Sequence, residues 1–369
     1  MSSASKEQIS GRLAITNVRV FDGQGLSELT TVVIDGAKIG TDQSGAHTVN
    51  GAGGTLLPGL IDAHIHLGTG TGVLEALSAA GITTALDMAA WPPSLVNQHR
   101  HCSGVTDIRS AGTPATVPGS VHSRMLPNFP AAGLLGGPDE AEAFVTDRIA
   151  EGSDFIKVIA DLTGPDQKLL DAIVDAAQRH QRLSVVHAAR LEPYQMAVRS
   201  RAEVITHVPI DAPISDETAA AIAAQQQVAV PTLVMMEAMA PWLNAINPTQ
   251  PPLDYGHAHR SVCALLAAGV TVLAGTDAND GPVGVAHVVH GDSLHRELEL
   301  LVDAGLTPTE ALLAATSRTA EVFQLTDRGT ISPGLRADLL LVAGDPTSDI
   351  TAIRQIQQVW CAGIPVDRS

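Results

Sequence analysis

From about residue 60 onward, short apolar runs alternate with longer stretches in which apolar residues recur at helical spacing. A short run bounded by turn residues reads as a strand buried on both faces, and an amphipathic stretch as the helix that covers it. In chain order the pattern predicts strand Ile61–Leu67, helix Val73–Ala80 and strand Ile82–Met88. Residues 91–118 break the pattern; they are rich in proline, histidine and polar side chains and read as a long loop. Strand Ser120–Met125 and helix Asp139–Ala150 follow, then strand Asp154–Ala160 and helix Asp166–Arg182. The alternation continues through strand Ser184–Ala188, helix Pro193–Arg199, strand Val204–Val208, helix Asp216–Gln226, strand Ala229–Met235 and helix His257–Ala268. Strand Thr271–Ala274 and helices Ser293–Ala304 and Pro308–Glu321 complete it.

Eight strand–helix units in about 260 residues match the size of a (β/α)8 TIM barrel, an α/β fold. Both chain ends read differently. Leu13–Phe21 and Leu29–Ile34, with a turn at Asp35-Gly36, have strand character, as do Asp338–Val342 and Gln355–Trp360. Each end is too short to hold a core alone. The expectation is a small β-sandwich domain composed of residues 1–59 and 325–369, beside a barrel of residues 60–324.

Composition narrows the class. A chain of 369 residues that is 45% hydrophobic can bury a full core. Its formal charge of −17 argues against nucleic acid and anionic membrane as partners, leaving a small-molecule substrate. Cys102, Cys263 and Cys361 are few, odd in number and widely spaced, so neither a disulfide framework nor a cysteine zinc site is expected. The first residues lack the apolar core of a signal peptide, and no apolar run is long enough to span a bilayer. A cytoplasmic location is the expectation.

The chemistry gathers where the strands end, which is the working face of such a barrel. His64 and His66 share one side of the first strand by alternation. Taken alone, that pair is equally compatible with core histidines bonded to carbonyls. Lys157 lies on the fourth strand, His187 and His207 come near the ends of the fifth and sixth, and Asp277 follows the eighth. One ionisable group at so many strand ends points to a pair of metal sites. Lys157 lies in the apolar run Phe155-Ile156-Lys157-Val158-Ile159, in a chain with four lysines. It could snorkel to the rim. If buried, its amine is driven toward the neutral form, and a neutral amine reacts with carbon dioxide to give a carbamate whose two oxygens can bridge two cations.

In order along the chain stand Pro58-Gly59-Leu60-Ile61-Asp62-Ala63-His64-Ile65-His66, Phe155-Ile156-Lys157-Val158, Val186-His187-Ala188, Thr206-His207, Gly275-Thr276-Asp277 and Gly334-Leu335-Arg336-Ala337-Asp338-Leu339. With these motifs the chain resembles the amidohydrolase superfamily, in its two-metal branch with a carboxylated lysine. The stretch Ser293-Leu294-His295-Arg296-Glu297-Leu298-Glu299-Leu300 is similar to that of the imidazolonepropionase and Xaa-Pro dipeptidase-like members. The loop after Lys157, Ala160–Pro165, departs from the glycine-rich segment of the dipeptidase-like members.

The resemblance implies that His64, His66 and Asp277 hold one divalent ion and that His187 and His207 hold the second, with carboxylated Lys157 and a hydroxide bridging them. Zinc is the expected ion. Asp277 would take the proton of the attacking hydroxide and pass it to the leaving group. The family's habit also makes a homo-oligomer the expectation. The function expected is hydrolysis of an amide or peptide-like C–N bond of a small molecule. An ester or lactone would pass through a similar tetrahedral oxyanion. A ring deaminase is disfavoured because His207 is followed by Val208-Pro209-Ile210 rather than His-x-x-Glu. A dead scaffold is disfavoured because no ligand is missing. Arg190, His122, Asp161 and Met235 are candidate substrate contacts: a carboxylate clamp, two polar groups near strand ends and an apolar wall.

Overall fold

The chain begins with β1 (Leu13–Val20), β2 (Thr30–Asp35), β3 (Lys38–Gly40), β4 (His47–Asn50) and β5 (Thr55–Pro58). The middle supplies β6 (Leu60–Ile65), β7 (Ile82–Asp87), β8 (Asp107–Ser110), β9 (Ile156–Ile159), β10 (Ser184–His187), β11 (Val204–Thr206) and β12 (Val228–Val230). The end adds β13 (Leu339–Val342), β14 (Ile356–Cys361) and β15 (Ile364–Pro365). This computed structural model describes residues 11–368, apart from 69, 71, 101, 127 and 282–285. The first ten residues of the expected terminal domain therefore lie outside the described residues.

The two ends of the chain do pair. β13 lies antiparallel to β5, with Leu339 opposite Pro58 and Val342 opposite Thr55. The resulting sheet runs β15-β14-β13-β5-β1-β2-β3, with β4 added on β1. Ile15, Val18, Ile34, Leu56, Leu339, Leu341 and Trp360 form its own apolar cluster. Neither end could bury these residues alone, which is why sequence-distant strands meet.

The middle strands are all parallel. They form a three-stranded sheet, β6-β7-β8, and a four-stranded sheet, β12-β11-β10-β9. Single parallel bridges join Ala115 to Val158, Ala229 to Val272 and Ile65 to Ala278. The helix Gln167–Arg179 illustrates the cover: Asp166 caps it by accepting the Leu169 N–H at 2.9 Å, and Leu169, Leu170, Ile173, Val174, Ala176 and Ala177 face inward. Among the described residues no helix is long and apolar enough to cross a membrane, and the three cysteines are free.

Five expectations about elements need correction. The third strand is β8, inside the stretch read as a loop. Its sequence, Asp-Ile-Arg-Ser, has one apolar residue and so gave no apolar run. Residues Ser120–Met125 form no strand. Ser120 is an N-cap that accepts the Ser123 N–H at 3.2 Å, and the helix Val121–Met125 follows. The apolar run Ala229–Met235 splits at Thr232, which takes a left-handed conformation, so that β12 ends at Val230 and the helix Leu233–Ile246 begins. The predicted strand Thr271–Ala274 contributes one bridge, at Val272. The span Pro308–Glu321 is two helices, Pro308–Ala314 and Ser317–Val322.

A buried arginine ties the terminal sheet to the middle strands. Arg328, 3% exposed, donates to Thr84 of β7 and Asp107 of β8, both at 2.8 Å, and lies 3.9 Å from Asp338 at the start of β13. Arg328→Met is expected to destabilise the fold by about 3 kcal/mol, because it strips a buried carboxylate of its main cation. Arg109, 3.2 Å from Asp107, and Arg336, 2.8 Å from Asp338, keep the loss from being larger. The urea midpoint should fall; an unchanged midpoint would show the pair to be idle.

Candidate metal centre

β6 ends in a histidine pair, and the chain segment that pairs beside it supplies a carboxylate. His64 Nε2 lies 3.2 Å and His66 Nε2 3.0 Å from Asp277 Oδ1. Among the described residues these three form the group whose ligand atoms all lie within 4.8 Å of one another. Backbone bonds set this up: the Asp277 N–H donates to the His64 carbonyl at 2.7 Å. Asp62, fully buried, accepts the N–H groups of His64 and Thr276 at 3.1 Å and the Thr276 hydroxyl at 2.8 Å. Burial pushes the Asp62 carboxyl up to about 7, against the pull of those three bonds. On the other side Asp87 accepts the Leu67 N–H at 2.9 Å and fixes the chain as it leaves His66.

His187 ends β10 and His207 follows β11. Their ring centroids are 4.5 Å apart, and His64 is 4.9 Å from His207. Two hydroxyls orient the rings. Thr206 Oγ1 is 2.5 Å from His64 Nδ1, and Thr232 Oγ1 is 2.7 Å from His207 Nδ1. In each case Nε2 remains as the free ligand atom, the usual way a neighbouring group selects the tautomer of a ligating histidine. Asp277, His207 and Thr232 all have left-handed backbones, with φ of 60°, 62° and 49°. Strained conformations of this kind are held only where the surroundings dictate them.

The electrostatics favour neutral donors around one anion. Burial drives His64 down to about 3 and His187 and His207 well below the usual histidine range. Loss of solvation is the largest influence on His66 and opposes its charge, but the contact with Asp277 and the charges of Asp277 and Asp87 together raise that histidine. Asp277 is held well below the ordinary carboxylate range despite its burial, chiefly by His64 and His66. Lys157, on β9 and 3% exposed, has an Nζ with no hydrogen-bond partner among the described residues. Loss of solvation brings its amine down to about 7, with Asp277 and Asp87 opposing. Among the described residues His64 Nε2 likewise makes no hydrogen bond, and the Asp277 carboxylate lies 3.2 Å from it. Neutral imidazoles, an ionised carboxylate and two buried nitrogens without partners fit the donor set of a divalent ion.

The second group of candidates is only partly assembled. His122 stands on a helix rather than a strand, yet its ring centroid is 4.6 Å from that of His187, and its Nδ1 is 2.8 Å from Asp161 Oδ2. Asp161 is lowered despite partial burial, by His122 first and by Arg190 more weakly. Arg190 is part-buried at the N-cap position of the helix Leu191–Ser200 and makes no cap bond with its side chain. Met235, 4% exposed, packs in the main apolar core. Asp62, Asp87, Thr206 and Thr232 were not singled out from the sequence. Asp62 had a signal, because it shares its strand parity with His64 and His66. A cavity of about 590 Å³ opens before β9 and β10, at the strand ends opposite His187; Asp154, Phe155, Arg182 and Leu183 line it, and none of the six metal-site candidates does.

Parallel strands with histidines and a carboxylate gathered at their C-terminal ends are the arrangement of a class of metal-dependent hydrolase folds. The chain belongs to the amidohydrolase family, whose model matches residues 55–366, and it is a hydrolytic enzyme of that family. An uncharacterized protein of Mycobacterium tuberculosis is 27% identical over 350 residues, covering 88% of this chain and 89% of its own length. Imidazolonepropionase of Deinococcus deserti is 38% identical over 108 residues, which is 28% of this chain and 25% of that enzyme. Among solved structures, a Xaa-Pro dipeptidase with methionine bound in its active site has a TM-score of 0.79 at 20% identity, covering 96% of this chain and 99% of that one.

Proposed function

We propose that this enzyme hydrolyses an amide or peptide-like C–N bond of a small molecule at a two-metal centre. His64, His66 and Asp277 would hold one divalent ion, His187 and His207 the other, and a carboxylated Lys157 would span both. Zinc suits this mixture of imidazole and carboxylate ligands. The observation that carries the reading is the Lys157 amine. It is buried and unbonded, and close enough to act electrostatically on His64, His187 and His207. We read the parallel strands as a closed (β/α)8 barrel, with the single bridges at Ala115, Ala229 and Ile65 as its seams. The terminal sheet is read as the composite domain of residues 1–59 and 325–369.

Two bound divalent ions supply an activated water and a Lewis acid for the carbonyl. The residues of the chain do the rest. Asp277, kept ionised, can accept a proton on its carboxylate and return it to the departing amine, which is the harder half of amide cleavage. Thr206 and Thr232 keep the imidazoles turned inward. His122 and Asp161 form a polar pair beside His187, and Arg190 adds a positive charge on the same side; together they would receive the polar end of a substrate. The dipeptidase among the similar structures supports an amide over an ester.

Chelation followed by dialysis is expected to abolish turnover of a panel of dipeptides and N-acyl amino acids, and added zinc should restore it. Full activity in metal-free protein would contradict the metal reading. A higher kcat/KM on lactones than on any amide of the panel would overturn the bond class.

A further inference from the structure

The helix Leu233–Ile246 starts in an unusual way. Thr232 occupies its N-cap position, where threonine ordinarily accepts a backbone N–H from the first turn. Here it makes no cap bond. Its backbone is left-handed, φ 49° and ψ 50°, a conformation that a β-branched residue rarely holds. Its hydroxyl is committed to His207 Nδ1 at 2.7 Å. The first N–H groups of the helix are satisfied from elsewhere. Glu297, on the helix Asp292–Asp303, accepts the Leu233 N–H on Oε1 at 3.0 Å and the Val234 N–H on Oε2 at 2.8 Å.

We propose that Glu297 is a positioning residue for His207, locking the left-handed turn from which the Thr232 hydroxyl orients that ring. The inference rests on the reading of His207 as a metal ligand. Glu297 is fully buried, so its carboxyl has lost water on both oxygens, and among the described residues it recovers two hydrogen bonds, both at this helix end. Burial pushes the carboxyl up to about 8 even against the pull of these two N–H groups, which favour the ionised form. A carboxylate is the right group: it offers two acceptor oxygens to two adjacent donors, and negative charge is favoured at a helix N-terminus. With the cap supplied by Glu297, the threonine hydroxyl is released for the histidine. Arg296, the residue before Glu297, bonds Glu237, one turn into the other helix, at 2.8 Å and adds a second tie between the two helices. Neither Glu297 nor Thr232 touches a reacting atom; both act through the orientation and tautomer of His207.

The test is zinc titration of metal-free protein, with the two binding steps resolved. His207→Ala should lose one of two ions and serves as the control for the metal reading; if it binds both with unchanged affinity, that reading fails. Glu297→Gln keeps the shape but replaces one acceptor oxygen with an N–H donor facing another donor. It should weaken one ion by about 10- to 100-fold and leave the other unchanged. Thr232→Val should do the same, Thr232→Ser should restore binding, and the double variant Glu297→Gln with Thr232→Val should be no worse than either single variant, because the two residues act in series. If Glu297→Gln does not fold, Glu297→Asp, which retains two acceptor oxygens on a shorter arm, should show the same selective weakening at smaller amplitude. Nitrogen NMR of the imidazoles gives a second readout, in which the His207 signals should change from one tautomer to a mixture. Glu297 variants that lose thermal stability yet bind both ions like the parent, while His207→Ala loses one, would reduce Glu297 to a helix cap and overturn the inference.

Discussion

Lys157→Ala is expected to lower kcat/KM by on the order of 10³-fold or more, equal to about 4 kcal/mol of barrier, with partial recovery in acetate or propionate. The argument starts from burial. β9 carries Lys157 into an apolar interior where, among the described residues, Nζ finds no acceptor, and the loss of solvation brings its amine down to about 7, so that a sizeable share is neutral at physiological pH. An ammonium held there would be repelled by divalent ions. A carbamate reverses that repulsion and supplies two oxygens at once. Alanine removes the bridge and leaves a small cavity that a short carboxylate can enter. Because the amine makes no hydrogen bond in the folded chain, its removal breaks none, so the loss should register in activity with the unfolding midpoint nearly unchanged. Full activity in the variant would refute the bridge.

Asp277→Asn should reduce kcat by on the order of 10²- to 10⁴-fold while KM changes little. The side chains have the same shape, and the amide oxygen can still face His64 and His66. What disappears is the charge that those histidines stabilise and the ability to take up a proton. The split between kcat and KM matters, because a group needed only for substrate binding would raise KM instead. Activity within tenfold of the parent would remove Asp277 from proton transfer.

Much of the site could be read from the sequence, because strand alternation and apolar runs report side-chain direction directly. His64 and His66 were aligned by a period of two, and the structure brings both to Asp277, more than two hundred residues away. The shape of Lys157's surroundings was equally legible, since an isolated lysine in an apolar run has few places to go. Other features left weaker traces. β8 is short and polar at Asp107 and Arg109, and its burial depends on Arg328 reaching over from the far end of the chain. No local pattern reports such a partner. His122 was assigned to a strand but arrives beside His187 on a helix whose start is fixed by Ser120. The left-handed turn at Thr232 was hidden because the residues on both sides are apolar, so a strand end and a helix start merged into one run. The contacts of Thr206, Thr232 and Glu297 are made with elements distant in sequence, and uncharged hydroxyls in apolar surroundings do not stand out among core residues.

The measurement that bears most directly on the account is anomalous diffraction from crystals grown with zinc and bicarbonate, recorded at the zinc edge. The account predicts two anomalous peaks, one flanked by His64, His66 and Asp277 and the other by His187 and His207, with carboxyl density on Lys157 Nζ between them. Crystals that diffract well and show no zinc among these side chains, or an unmodified Lys157 beside two bound ions, would contradict it.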